Sequence, residues 1–290
     1  MVKHLISVKD FGKKEVGELI VECKKLKENQ KKYSDSLKNK TILMLFEKPS
    51  TRTRVSFEAG ITRLGGHAIY FDPKVSQISR GETLEDTAKT LSRYIDCLVA
   101  RVYKHESLLM FAKYAKVPIV NGLSDKEHPC QALGDAFTMK EKNKLGGRIV
   151  YVGDGNNVAN SLALLADTLN LDFTVSCPKG YEPQLGKPRI EYDPKKAVSG
   201  ADVIYTDVWV SMGDEKEEEK RIKDLEKYQI NSELLSNARK DCIVMHCLPA
   251  HRGQEITDDV MDSRNSVVFD QAENRMHMQN AILLKLLGQK

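Results

Sequence analysis

Along this chain, short apolar runs alternate with stretches whose apolar positions recur every three to four residues. Thr41-Ile42-Leu43-Met44-Leu45-Phe46 is an uninterrupted apolar run of strand length. Runs of the same kind predict strands at 67–71, 96–101 and 117–120. Helical periodicity fits between them at 52–64, 83–94 and 106–115, and again over 129–143. Before them, Val16, Leu19, Ile20, Cys23 and Leu26 share one face of an opening helix. Lys144-Leu145-Gly146-Gly147 breaks the pattern, and a second series follows. Its strands are expected at 148–153, 172–177, 202–205, 242–246 and 266–269, with helices near 157–169, 195–199 and 231–239. A last helix is expected from Ala272 to Leu287. Strand–helix alternation of this kind implies an α/β fold whose sheets are parallel and covered on both faces. Two Rossmann-like domains are expected: residues 1–143, with 272–290 packing back on them, and residues 144–271.

Composition narrows the function classes. The 290 residues carry 45 basic and 41 acidic side chains, so there is no electrostatic case for a nucleic-acid partner. The N-terminus lacks an apolar signal core and no run is long enough to cross a bilayer, so no membrane partner is expected. Six cysteines without CxxC or metal-type spacing read as free thiols, which predicts a reducing, cytoplasmic setting. The charged run Asp214 to Arg221 reads as a solvated helix or a loop beside a site.

Chemistry collects where the expected strands end. Phe46-Glu47-Lys48-Pro49-Ser50-Thr51-Arg52-Thr53-Arg54 puts hydroxyls and guanidiniums where a strand turns into a helix. Unpaired N–H groups and the positive end of the helix dipole favour an anion there, and arginine forks suit phosphate oxygens. Arg101 ends the third strand. His128 and Gln131 stand three apart at a helix start, with Pro129 in the first turn. Gly153-Asp154-Gly155-Asn156-Asn157-Val158 resembles a dinucleotide fingerprint, but Val158 replaces the third glycine and no acidic residue ends the next strand. A tight turn presenting Asn156 or Asn157 to a polar ligand is the better reading. Asp207, in Thr206-Asp207-Val208-Trp209-Val210-Ser211-Met212-Gly213, offers a carboxylate for an ammonium, and Ser211-Met212-Gly213 adds a hydroxyl and main-chain groups. His246-Cys247-Leu248-Pro249 ends another strand. Neighbouring strand residues face opposite ways, so His246 and Cys247 are not expected to form a dyad. Leu248-Pro249 is a candidate cis peptide. Arg275 near the start of the last helix can reach an anion.

Taken together, these motifs resemble the aspartate/ornithine carbamoyltransferase family over nearly the whole chain. Ser50-Thr51-Arg52-Thr53-Arg54 is common to both branches. His128-Pro129-Cys130-Gln131, Ser211-Met212-Gly213 and His246-Cys247-Leu248-Pro249 look like the ornithine branch. The resemblance implies transfer of a carbamoyl group from carbamoyl phosphate to the δ-amine of L-ornithine, in an interdomain cleft, giving L-citrulline and phosphate. It implies that carbamoyl phosphate is held by Ser50, Thr51, Arg52, Thr53, Arg101 and His128-Pro129-Cys130-Gln131, with Cys247, Leu248 and Arg275 at the reacting centre. It implies that Gln77 reaches a neighbouring subunit's site in a homotrimer or an assembly of trimers. Ornithine would be held by Asn157, Asp207, Ser211 and Met212. Arg52, Arg101, His128, Asp207 and Cys247 are the implied catalytic set, and no metal or cofactor is implied. Two alternatives stand beside it: a sister carbamoyltransferase acting on another amine or amino acid, and a non-catalytic binding protein that keeps the fold.

Overall fold

The computed structural model describes residues 2–210 and 217–289, which form two compact units. Unit 1 comprises residues 1–137 and 274–290, and unit 2 comprises residues 138–273. In chain order the first elements are α1 (Lys13–Glu28), β1 (Thr41–Phe46), α2 (Thr51–Arg63), β2 (His67–Phe71) and α3 (Leu84–Leu91). They are followed by β3 (Cys97–Arg101), α4 (His105–Tyr114), β4 (Ile119–Leu123) and α5 (Pro129–Glu141). Then come β5 (Ile149–Val152), α6 (Asn157–Leu169), β6 (Phe173–Ser176), β7 (Arg189–Ile190), α7 (Pro194–Val198) and β8 (Val203–Thr206). The chain ends with α8 (Glu218–Leu225), α9 (Ser232–Leu235), β9 (Ile243–His246), α10 (Asp258–Met261) and α11 (Val268–Leu286). The chain passes from one unit to the other inside α5 and returns inside α11.

Unit 1 holds a four-stranded parallel sheet in the order β2-β1-β3-β4. The central strands β1 and β3 are buried along nearly their whole length, as strands covered on both faces require. Leu43, Leu45, Leu98 and Ala100 pack with Leu108 and Phe111 of α4 on one face. Strand β2 is different: it is an edge, and His67, Ile69 and Tyr70 are exposed. At the other edge, Leu5 pairs with Val120, and the Asn121 side chain donates to the Ile6 carbonyl at 2.8 Å.

Unit 2 holds a five-stranded parallel sheet in the order β7-β6-β5-β8-β9. Val150, Val152, Ile204 and Val244 pack on one face with Trp209, Leu225 and Ile230. On the other face Tyr151 and Tyr205 stack with ring centroids 5.8 Å apart. The expected strand at 266–269 does not form. Ser266 makes a single bridge to Val244, and the apolar Val267-Val268-Phe269 run leads into α11 instead. The Arg189–Ile190 edge strand had no apolar run to announce it.

In each sheet the chain first builds outward on one side and then crosses to the other. The reversals fall between β1 and β3 in unit 1 and between β5 and β8 in unit 2. Beyond the carboxyl ends of two such strands, the connections diverge and leave a crevice, where ligands of open α/β sheets bind.

Candidate functional site

At the unit 1 reversal, Phe46 and Arg101 stand side by side in register, and the Glu47 N–H donates to the Arg101 carbonyl at 2.8 Å. Two chain segments therefore leave the sheet together. From β1 the chain enters α2 through Ser50, the N-cap, whose hydroxyl accepts from the Thr53 N–H at 3.2 Å. That cap fixes the first turn of the helix, where backbone N–H groups point outward. Arg101 Nη1 donates to Thr53 Oγ1 at 3.5 Å and so ties the β3 end to the same turn. Arg52 is half-buried and has no ion-pair partner among the described residues. Arg54 lies over the Tyr70 ring at 3.7 Å and pairs with Glu58, so only one of the two motif guanidiniums is left for an anion.

The β4–α5 connection adds His128 and Gln131. Both are buried, as are Arg101 and, from α11, Arg275. Arg275 Nη1 donates to Gln131 Oε1 at 2.9 Å, and Gln131 Nε2 donates to Asp135 at 2.9 Å. Burial first, and then the guanidiniums of Arg275 and Arg101, hold His128 well below the usual imidazole value. The ring is therefore neutral at physiological pH and can donate only from one nitrogen. Two guanidiniums at 5% and 4% exposure beside a neutral imidazole leave a deep concentration of positive charge. Positive charge concentrated in this way can attract an anion. Cys130 turns away: its thiol donates to the Asn121 carbonyl at 3.5 Å, and burial pushes it up to about 12. Gln77 is exposed, in a short 3-10 turn spanning Gln77–Arg80.

Sequence reasoning passed over Lys48. It lies between the strand and the phosphate-type motif, is only 7% exposed, and its ammonium sits 4.7 Å from the Tyr103 ring centroid. The Lys-Pro spacing before the serine was the available signal.

At the unit 2 reversal, the β5 and β8 ends are again joined directly. Asn156 caps α6, accepting from the Val158 and Ala159 N–H groups, and its Nδ2 donates to Asp207 Oδ2 at 2.8 Å. Asn156 is thus consumed in the turn, and Asn157, half-buried like it, is the first residue of α6. The second Asp207 oxygen accepts from the Cys247 thiol at 2.9 Å. Register explains the contact, because Thr206 and His246 are paired partners and their successors leave the sheet together. Ser211 and Met212 lie outside the described residues. Gly153 adopts φ 133°, a conformation that only glycine takes readily, and an added Cβ at Gly155 would lie 2.3 Å from the Tyr181 carbonyl.

The His246 ring is held by Leu248 and Glu255. Its Nδ1 accepts from the Leu248 N–H at 2.9 Å, so Nε2 carries the proton and donates to the buried Glu255 at 3.0 Å. Donor atoms of Asp207, His246 and Cys247 lie within 4.8 Å of one another. Both His246 nitrogens are already engaged, so a metal would have to displace one of these bonds, and the set is a poor cation site as it stands. Leu248 is held at φ 58° and the Leu248–Pro249 peptide is cis. Among the described residues, Cys247 is the only cysteine that is not fully buried.

The charged run also contributes. Arg221 of α8 donates to Asp154 at 2.9 Å and to the Trp209 carbonyl at 3.4 Å. It anchors this segment to the β5 turn, so the run is not simply a solvated face. Residues 214–216 of it lie outside the described residues.

Comparison with known proteins places this geometry in a family. Residues 3–141 match the family model described as aspartate/ornithine carbamoyltransferase, carbamoyl-P binding domain, and residues 145–286 match its Asp/Orn binding domain. The chain is 51% identical to an ornithine carbamoyltransferase of Methanosarcina acetivorans, over 99% of this chain and 100% of that one. It is 50% identical to the one from Archaeoglobus fulgidus, over 100% of this chain and 99% of that one. The solved ornithine carbamoyltransferase from Pyrococcus furiosus superimposes with a TM-score of 0.94 at 49% identity, covering 99% of this chain and 97% of that one. That from Thermus thermophilus gives 0.91 at 43% identity, covering 99% of each chain. The chain belongs to the aspartate/ornithine carbamoyltransferase family.

Proposed function

We propose that this protein is an ornithine carbamoyltransferase that carries the carbamoyl group of carbamoyl phosphate to the δ-amine of L-ornithine. The observation that carries the reading is the buried positive set in unit 1, with Arg101, Arg275 and neutral His128 beside the capped first turn of α2. Ser50, Thr51, Arg52 and Thr53 cradle the phosphate. Arg101, His128 and Gln131 address the carbamoyl group, with Pro129 and Cys130 contributing through the main chain. In unit 2, Asp207 and Asn157 hold ornithine together with Ser211 and Met212. Cys247 and Leu248 stand next to Asp207, and Arg275 completes the anion set.

The reaction is direct attack. The neutral δ-amine nitrogen forms a bond to the carbamoyl carbon, the carbon–oxygen bond to phosphate breaks, and one amine proton passes to the departing phosphate, which leaves as hydrogen phosphate. Negative charge grows on the carbonyl oxygen as the bond forms, and Arg101, His128 and Thr53 donate to it. Arg52 neutralises the departing phosphate. A carboxylate alone would favour the charged amine, so burial of the Asp207 surroundings and its two existing donors matter, because they temper its field. The Cys247 thiol donates to Asp207, which supports a role in placing the amine rather than covalent attack on an already activated carbamoyl group.

The biosynthetic direction, toward arginine, follows the relatives from Pyrococcus furiosus and Campylobacter jejuni that are named as anabolic enzymes. No helix among the described residues is long and apolar enough to span a membrane, and we place the enzyme in the cytoplasm as a homotrimer. The exposed β2 edge and exposed Gln77 of unit 1 support such an assembly.

The direct test is turnover of carbamoyl phosphate and L-ornithine to citrulline, run beside a panel of other amines. Ornithine should be carbamoylated in strong preference; a better substrate in the panel would shift the assignment to a sister enzyme. Arg52→Ala should abolish measurable binding of carbamoyl phosphate by calorimetry, and wild-type affinity in that variant would contradict the phosphate assignment.

A further inference from the structure

Unit 1 contains a lysine whose position the proposed chemistry leaves unexplained. Lys27 lies in the last turn of α1, on the opening helix. Its Nζ donates to Asn274 Oδ1 at 2.8 Å, and the same ammonium lies 6.0 Å from the Phe137 ring centroid. Phe137 is the last residue of unit 1 before the chain departs within α5, and Asn274 is the first on its return within α11. One side chain therefore bonds α11 and reaches the outer limit of cation–π range to α5 at the crossings.

The same two helices carry site residues. Gln131 is six residues, under two turns, before Phe137 on α5, and Arg275 directly follows Asn274 on α11. Their mutual bond, Arg275 Nη1 to Gln131 Oε1 at 2.9 Å, forms only if the two helices keep their rotation and axial register. The helices also meet closely at Gly134, where an added Cβ would lie 3.2 Å from Arg275 Cα. Asn274 is fully buried and Lys27 half-buried, so the acceptor end of this bond is shielded from competing water. A charge-assisted bond in that setting is directional and stronger than a neutral one.

We infer that Lys27 is a positioning residue: by holding Asn274 and Phe137 together it sets the register of α11 on α5 and so aims the Arg275 guanidinium at the anion. This inference rests on the carbamoyl phosphate reading of unit 1. Both of these Lys27 contacts lie in unit 1, whereas the residues assigned to ornithine lie in unit 2. Its loss should be felt by one substrate and not by the other.

The test is calorimetric binding of carbamoyl phosphate, with steady-state kinetics, for wild type, Lys27→Met, Asn274→Ala and the double variant. Lys27→Met keeps the aliphatic stem and removes the donor. Its Kd for carbamoyl phosphate should rise about tenfold. The KM for ornithine at saturating carbamoyl phosphate should stay at the wild-type value. The double variant should bind no worse than either single one, because both remove the same contact. Should Lys27→Met fail to fold, Asn274→Ala alone carries the test, with the same rise expected. Unchanged carbamoyl phosphate affinity in the folded variants, or equal weakening of both substrates, overturns the inference. Wild type that binds no carbamoyl phosphate instead overturns the functional reading beneath it.

Discussion

At the scale of single residues, the fold decides which charges exist. His128 is kept neutral by burial and two nearby guanidiniums, which suits the hydrogen-bond-donor role proposed for it better than that of an acid. Its neighbour Glu127 is moved the other way. Burial raises its carboxyl above the usual value, and the bond accepted from the Val8 N–H at 3.0 Å offsets this only in part. A carboxyl raised by folding favours the protonated folded state. Its contribution is therefore fully present below about pH 4.5 and is lost as pH rises through the folded value. Glu127→Gln, which stays neutral, should gain stability relative to wild type as pH rises from 4.5 to 8, as read by urea denaturation across that range. A stability difference between the two proteins that does not change with pH would exclude this role. None of this was legible in the sequence, where Glu127 is one of many acidic residues. Burial depends on the Val8 segment folding back over it, which is a long-range event. Asn156 and Asn157 show the same limit. Adjacent, identical in type and both half-buried, they divide into a cap spent on Asp207 and a first helical residue only once the turn is built.

Among the elements, the strands were the most readable. A parallel strand buried on both faces must be apolar throughout, and Ile42 to Phe46 and Cys97 to Ala100 announce themselves in that way. The same rule misled at Val267-Val268-Phe269, because a short apolar run opening a buried helix looks identical. Turns carry a sharper constraint than strands. The turn after β5 admits Gly155 only because the backbone of Tyr181, Glu182 and Pro183 presses against it, with an added Cβ falling 2.3 Å from the Tyr181 carbonyl and 2.4 Å from the Pro183 nitrogen. Main chain cannot swing aside as a flexible side chain does. Gly155→Ala should therefore lower stability by about 1–3 kcal/mol in chemical denaturation. It should also raise the KM for ornithine, because Asn156 and Asn157 follow immediately. An alanine variant as stable as wild type, with unchanged KM, would mean that the turn has slack the geometry does not show.

For the molecule as a whole, what the sequence displayed best was repetition of one plan, two parallel sheets with chemistry at their carboxyl ends, because alternation of apolar runs and helical periods survives without any tertiary knowledge. The strand orders, and so the two reversals that gather Ser50 with Arg101 and Asn156 with Asp207, are not written in any local pattern. Assembly is written even less, since it depends on what an exposed edge such as β2 meets. Sedimentation equilibrium should give three times the monomer mass or a multiple of it, and a monomer at micromolar concentration would remove the trimer from the proposal. Unit 1 is interrupted by unit 2 along the chain, and its closing stretch, which bears Arg275 and Asn274, is translated after everything in unit 2. A nascent polypeptide can thus form most of its first sheet early and yet lack a finished anion pocket until the ribosome has all but completed its work.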